Sequence, residues 1–582
     1  MSDNRNMILF VVLTAMVLVA WEFLFGSQFK PKESAPQAVA TQTARAPEAS
    51  SLPTASAPAP AASASTAAAP AILPELLRAK ALSEAPRLRI ETPKLHGSIS
   101  LMGARLDDIT LAQFRESLDP SSPEIVLFSP PGSAAPYYAD FGWVAVGEAK
   151  PKLPGPDAIW KADAASLEPA KPVTLSWSNG EGLTFLRKIE VDEDYMFTVT
   201  DSVANDSGQP VGLAPYGLVS RTGKPKLENL YILHEGPIGV FGGASKEMKY
   251  EDLDSKGEVS EKNVTGGWVG ITDKYWLALV APDPKAEVDA RFLHRRADQH
   301  DKYQTDFLGR AQNVAPGARA EFKSYLFAGA KHVRMLDQYS EKLGIARLDL
   351  AIDFGWFYFL TKPFFYILQW LHGLFGNFGL AILGMTVILR GLMFPLANKS
   401  YKAMSKMKAL QPQMKELQTK FADDKNRLNQ EMMALYKNEK VNPMAGCLPI
   451  FIQIPIFFAL YKVLYVTIEM RQAPFYGWIH DLSAPDPTNL FTAFGLIPWS
   501  PPAFLMLGVW PLIMGITMFL QQKLNPQPAD PVQARMFMIL PFVFTFMLAS
   551  FPAGLVIYWA WSNVLSIIQQ WVIMKRMGVK VG

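Results

Sequence analysis

Hydrophobic and polar positions are segregated along this 582-residue chain, and three textures follow one another. Residues 7–25 are apolar apart from Glu22, with Arg5 just before them. At about 1.5 Å per residue such a run crosses a hydrocarbon core of roughly 30 Å. It ends in Trp21-Glu22-Phe23-Leu24-Phe25 rather than in the small residues of a cleavage site, so an uncleaved anchor is expected over 1–29. Ala, Pro, Ser and Thr then dominate 35–71, where Pro36, Pro47, Pro53, Pro58, Pro60 and Pro70 interrupt any helix. A disordered tether is expected over 30–85.

From about 86 to 330 the pattern changes to short alternating runs, among them 183–191, 195–203, 274–280 and 318–327. Turn residues separate them: Asn179-Gly180, then Asn205-Asp206-Ser207-Gly208. This predicts a large, mostly antiparallel β-sandwich over 86–347, closed by a helix near 332–347. His96, His234, His294, His300 and His332 lack ligand spacing, so no metal site is expected.

After Leu348 the chain reads as membrane sequence, with apolar runs at 378–397, 446–468, 503–521, 536–552 and 555–574. Between the first two, 398–440 carries ten Lys/Arg against five Asp/Glu, which places it in the cytoplasm by the positive-inside rule. An exported β-sandwich then requires an odd number of crossings before that loop. Only one of the two runs at 354–371 and 378–397 can span. The first is broken by Lys362-Pro363 and crowded with Trp356, Phe357, Tyr358, Tyr366 and Trp370, so 348–377 is read as an interfacial amphipathic helix. The count becomes six transmembrane helices with both termini cytoplasmic and the sandwich periplasmic. Residues 378–582 form a core of five spans.

Composition adds little beyond this. Hydrophobic residues make up 49% and charged residues 19%, and the net charge of +3 is too small to point to a specific nucleic acid. The lone cysteine, Cys447, excludes a disulfide framework within one chain.

Arg390 is the most informative residue, a cation some seven residues from the cytoplasmic end of the 378–397 span. That depth is roughly 10 Å, and a guanidinium at mid-span costs about 2.5–3.5 kcal/mol. The last five spans contain no Asp or Glu to pair with it. Either it snorkels to the headgroups or it lines a hydrated cavity. Thr386 shares its helix face at i−4, and Gln453, Gln521, Tyr558, Ser562 and Asn563 are polar positions on other spans. Each alone reads as an interhelical hydrogen bond; together they could line a hydrophilic groove.

The cytoplasmic segment 398–440 reads as a helical hairpin with arms near 399–421 and 425–440. Met404, Met407 and Met414 mark one apolar stripe, Met432 and Met433 another. The arms could simply pack on each other, or the methionines could present an adaptable surface to varied apolar clients. Basic outer faces suit anionic lipid or ribosomal RNA.

The stretch Leu389-Arg390-Gly391-Leu392-Met393-Phe394-Pro395-Leu396 closely resembles the second span of the YidC/Oxa/Alb membrane protein insertase family. So do Leu410-Gln411-Pro412, Gln430 to Lys437, Gln453 to Tyr461, and Phe551-Pro552-Ala553-Gly554-Leu555 with Tyr558-Trp559 and Ser562-Asn563. The anchor, tether and β-sandwich resemble the Gram-negative form, whose periplasmic domain is a β-supersandwich akin to sugar-mutarotase folds. The resemblance implies an insertase and chaperone of the inner membrane, acting alone or beside the Sec translocon on nascent integral membrane proteins. It implies no cofactor and no covalent catalysis, with the ribosome and membrane lipids as further partners. In that family the arginine matching Arg390 faces a hydrated groove. Lys462 departs from the family pattern, and the short tail after Met574 offers little for ribosome binding. Two other readings remain: a secondary transporter, which needs related halves, and a membrane-anchored enzyme acting on envelope carbohydrate, which needs converging catalytic groups in the β-sandwich.

Overall fold

The computed structural model describes residues 72–578, except 149, 229–232, 298–299, 422–423, 440, 442–447, 498, 500, 503–505 and 526–530. The expected anchor, most of the tether, and Cys447 lie outside the described residues. The chain divides into two compact units, one ending at Asp353 and the other beginning at Phe354.

The first unit opens with a helix, α1 (Ile72–Ser83), where the tether was expected to continue to 85. Beyond Pro74 the prolines stop and Leu, Ala, Arg and Lys take over, all good helix formers. Arg78 pairs with Asp108 of the following sheet and fastens the helix. Two sheets of eleven and nine strands follow among the described residues. In the smaller sheet Trp276–Pro282, Arg319–Ala330, Met196–Asn205 and Leu183–Val191 lie side by side, antiparallel. The alternation expected at 183–191 is realised: Leu183, Phe185, Ile189 and Val191 are buried while Lys188 is exposed. Both expected turns form as well. The Asn179 side-chain oxygen accepts from the N–H groups of Glu181 and Leu183 at 2.8 and 2.9 Å, with Gly180 at φ 76°. The Asn205 side-chain oxygen accepts from Ser207 N–H at 3.0 Å.

The sheets meet through Phe141, Val219 and Phe307 on one side and Phe185, Phe197 and Val199 on the other, all buried. Arg187 sits in this interior. It donates to Asp201 at 2.7 Å, to the Ala104 carbonyl at 2.8 Å and to the Phe141 carbonyl, and it lies over the Trp160 ring. Two short helices, α2 (Tyr250–Lys256) and α3 (Val333–Leu343), complete the unit. The latter is the helix expected near 332–347.

The second unit is helical: α4 (Tyr358–Phe375), α5 (Phe378–Ala409), α6 (Gln411–Lys420), α7 (Lys425–Asn438), α8 (Leu448–Val466), α9 (Val509–Leu524), α10 (Pro531–Leu548) and α11 (Ala553–Arg576). Among the described residues only α5 is long and apolar enough to cross a membrane by both measures, with Phe451–Val466 and Ala534–Leu548 shorter apolar helices. α11 packs on α5, α8 and α9; α4 packs on α5 and α8; α10 packs on α9. Gly379, in the first turn of α5, allows the Phe475 ring to approach so closely that a Cβ would lie 1.9 Å from it.

One expectation changes in this unit, at the hairpin. The helix α4 buries Thr361, Phe364, Phe365, Leu368 and Leu371, but its other face exposes Phe359, Tyr366, Trp370 and Leu374. The exposed side is thus rich in aromatic and apolar residues, with Lys362, Gln369 and His372 half-buried between the two. The first hairpin arm does not start at 399, because α5 continues unbroken to Ala409. Pro412, in the first turn of α6, has no N–H to extend the ladder, so the chain breaks at Leu410 and the hairpin proper is α6 and α7.

Candidate functional site: a polar stripe on one membrane helix

On α11 the residues Tyr558, Ser562, Ser566 and Gln570 recur every fourth position and form one stripe roughly 18 Å long. All four are buried. The stripe joins α11 to three neighbours. Arg390 of α5 donates from Nε to Ser562 Oγ at 3.2 Å and from Nη2 to the Ser562 carbonyl at 3.1 Å, and Nη2 also reaches Ser562 Oγ. Gln453 of α8 donates to the Tyr558 hydroxyl. Gln570 donates to the Leu524 carbonyl and the Asn525 side chain, each at 3.1 Å, at the end of α9. Ser566 Oγ donates to the Ser562 carbonyl at 2.8 Å, so that one carbonyl serves a serine and the arginine together.

Four of the seven groove residues expected from sequence thus converge: Arg390, Ser562, Gln453 and Tyr558. Thr386 does not join them. It is 1% exposed and its hydroxyl donates to the Ile382 carbonyl of its own helix at 2.7 Å. The i−4 spacing put it on the right face, but a threonine inside a helix can bond back one turn and consume its only donor. Asn563 turns the other way, donating to Thr517 of α9 at 3.3 Å. Gln521 is half-buried on α9, outside these contacts. Ser566, Gln570 and Thr517 were not anticipated. The repeat 558, 562, 566, 570 was the available signal, a polar residue at every fourth position of an otherwise apolar run.

Arg390 is half-buried, and among the described residues it has no carboxylate partner. Hydrogen bonds to a charged group contribute about 1.5–3 kcal/mol each, so the serine offsets much of the cost of holding the cation here without neutralising it. Ser405 Oγ and Gln570 Oε1 are also buried without a partner among the described residues, which leaves polar capacity for water near the C-terminal ends of α5 and α11. Beside this stripe the surface is apolar. α8 exposes Phe451, Ile452 and Ile454, and α10 exposes Met536 through Leu540 together with Phe542, Val543 and Phe546. Aromatic contacts line the seam, Phe457 edge-on to Trp559 at 4.8 Å and Tyr461 near Phe551 at 5.2 Å.

The methionines of the hairpin divide. Met414 and Met432 are buried with Leu410 and Val441, and Met407 packs against them, so α6 and α7 do close on each other. Met404 is on α5, buried with Ala397, Tyr401 and Ile573. Met433 is exposed. Lys462 of α8 rests its stem against Gly355, where a Cβ would come within 2.8 Å of Lys462 Cε.

Bare apolar flanks around a buried polar stripe and an unneutralised arginine define an integral membrane protein, here carrying a large β-sandwich unit. The family model described as the 60Kd inner membrane protein matches residues 370–580, and the one described as the YidC periplasmic domain matches 87–367. A membrane protein insertase YidC of Beijerinckia indica is 50% identical over 589 residues, covering 100% of this chain and 97% of that protein. Its counterpart in Rhizobium meliloti is 49% identical over 583 residues, covering 100% and 97%. A crystal structure of an active YidC insertase with its first transmembrane domain resolved is similar at 16% identity and a TM-score of 0.35, covering 86% of this chain and 97% of that one. The chain belongs to the YidC family of membrane protein insertases. It is therefore an inner-membrane protein with a periplasmic domain, and the family's function is not enzymatic.

Proposed function

We propose that this chain inserts nascent membrane proteins by offering their polar segments a temporary substitute for water beside the stripe on α11. The observation that carries this reading is the state of Arg390, held by a single serine, with no carboxylate partner among the described residues and next to helices whose outer faces are bare. A client's hydrophilic segment enters beside Arg390, Gln453, Tyr558 and Ser562, while its apolar segment slides past α8 and α10 into lipid. Partitioning of about twenty apolar residues, at about −0.3 to −0.6 kcal/mol each, supplies on the order of 10 kcal/mol. No nucleotide is needed; the protein lowers the barrier for the polar part.

In this reading the chain crosses the membrane six times, with both termini and the α6–α7 hairpin cytoplasmic and the β-sandwich periplasmic. The excess of Lys/Arg in 398–440 supports that orientation. The exposed Met433 and the basic hairpin meet the client, the ribosome and anionic lipid, and the Sec translocon is a further partner. The test is photo-crosslinking to a stalled nascent chain, from a probe replacing Gln453 and from one replacing Ile568 on the exposed face of α11. Adducts from 453 to the polar flank of the client, and few from 568, are expected. Equal labelling at both positions would remove the stripe from the client's path.

A further inference from the structure

Between α8 and α9 the chain makes a compact turn whose side chains face outward. Leu490, Phe491, Phe494, Leu496, Ile497 and Trp499 are all exposed, Leu496 at 86%. No charged residue occurs from Pro487 to Gln522. A solvated loop of this length without a charge, showing large apolar side chains, is not what water selects.

The turn is ordered from within. Asn489 accepts through its side chain from Phe491 N–H at 2.9 Å and through its carbonyl from Phe494 N–H at 3.0 Å. Ile497 N–H donates to the Thr492 carbonyl at 3.0 Å, Trp499 N–H to the Ile497 carbonyl at 2.8 Å, and Leu490 N–H to the Leu507 carbonyl at 2.9 Å. Satisfying backbone donors internally is what hydrocarbon demands of a non-helical segment. Ala493 and Phe494 both hold left-handed conformations, φ 47° and 59°, which non-glycine residues adopt reluctantly. Asp486 anchors the base: it accepts from Trp478 Nε1 at 3.1 Å, Thr488 N–H at 3.0 Å and Trp510 N–H at 2.9 Å, the last in the first turn of α9. A rigid base therefore presents a strained, self-bonded apolar tip.

We propose that Leu490–Trp499 is a wedge inserted into the periplasmic leaflet, with lipid acyl chains as its occupant. Continuity favours lipid over a protein partner, because large apolar side chains are exposed again at Met506, just before α9, and along α9 at Ile513, Ile516 and Leu520. Trp499 and Trp478 suit the interfacial level where tryptophan is enriched. An apolar face of this kind settles about 5–10 Å into the headgroup and acyl boundary. The inference rests on the orientation given under Proposed function.

The test uses the full chain with Cys447→Ser, carrying either Leu496→Cys or Ile497→Cys labelled with an environment-sensitive dye, in phosphatidylethanolamine and phosphatidylglycerol vesicles. His480→Cys, on the exposed polar part of the same loop, is the aqueous control. Nitroxide lipid labelled near the top of the acyl chain should quench positions 496 and 497 several-fold more than iodide does, with the reverse at 480. Iodide quenching at 496 and 497 equal to that at 480 would overturn the wedge. So would photo-adducts from a benzophenone at 496 to residues 7–25 of the same chain or to another protein. Orientation is read separately, by labelling His480→Cys in intact spheroplasts with an impermeant maleimide, so a failed wedge and a failed topology give different results.

Discussion

Each unit holds an arginine away from water, and the two are treated in opposite ways. Arg187, in the β-sandwich, is 1% exposed, with each of its three nitrogens donating to a carboxylate or a carbonyl and its guanidinium over an aromatic ring. Arg390, in the helical unit, is half-buried and rests on the hydroxyl and carbonyl of Ser562. The first is closed off from solvent with every nitrogen engaged. The second keeps its charge and its Nη1 group outside these bonds. A buried cation engaged at every nitrogen is part of the framework, whereas a partly held one is available for work.

The largest effect expected from this contrast is on stability. Arg187→Ala leaves Asp201 buried without its partner, and breaking such a pair costs about 3–5 kcal/mol. Chemical denaturation followed by near-UV signals of the sandwich should show this loss, while clients still insert in whatever fraction folds. An unchanged sandwich would make Arg187 as loosely held as Arg390 and erase the comparison.

Next in size is a pH effect confined to the β-sandwich. Burial pushes the His234 pKa down to about 4, against a hydrogen bond to the Pro237 carbonyl that works the other way. The unfolded chain therefore binds the proton more tightly than the folded one. Stability is full above about 6.5 and erodes as pH falls toward 4, by about 3 kcal/mol at pH 4. His234→Gln should flatten that part of the curve, measured as the difference in unfolding free energy between pH 7 and 4.5. An unaltered slope would assign the acid sensitivity to other groups.

A smaller change sharpens the contrast from the other side. Ser562→Ala removes one acceptor from Arg390 but leaves the backbone carbonyl, so the helical unit should lose about 1–2 kcal/mol. Its thermal midpoint in detergent should fall by a few degrees, while clients with acidic translocated segments continue to insert. Complete loss of insertion with a folded protein would mean that the serine positions the charge rather than only sharing it.

What could be read from the chain follows the range of the interactions involved. Leu183–Val191 was legible because its alternation is local and one face is buried against the opposite sheet. Arg390 stood out because a cation among apolar residues is conspicuous without any partner in view. Its partner was not, since Ser562 lies 172 positions away and nothing in either segment announces the other. Thr386 and Met404 show the opposite failure. Thr386 shares the helix face inferred for it, yet its hydroxyl bonds back to Ile382; Met404, read as part of the hairpin stripe, lies on α5 and packs against Ile573 instead. Asp486 was not singled out in the sequence; that its carboxylate accepts from Trp510 N–H, 24 positions onward in the first turn of α9, depends on how the loop closes.

The direct measurement is in vivo insertion of a matched client pair, one with an acidic and one with a neutral translocated segment, in Arg390→Lys, Arg390→Ala and Arg390→Glu. Lysine keeps the charge without the fork and should retain substantial insertion of both clients. Alanine should impair the acidic client first, and glutamate should do worse, because repulsion replaces attraction where the dielectric is low. Wild-type insertion of both clients in Arg390→Ala would contradict a working role for the charge and leave Arg390 a snorkelling residue.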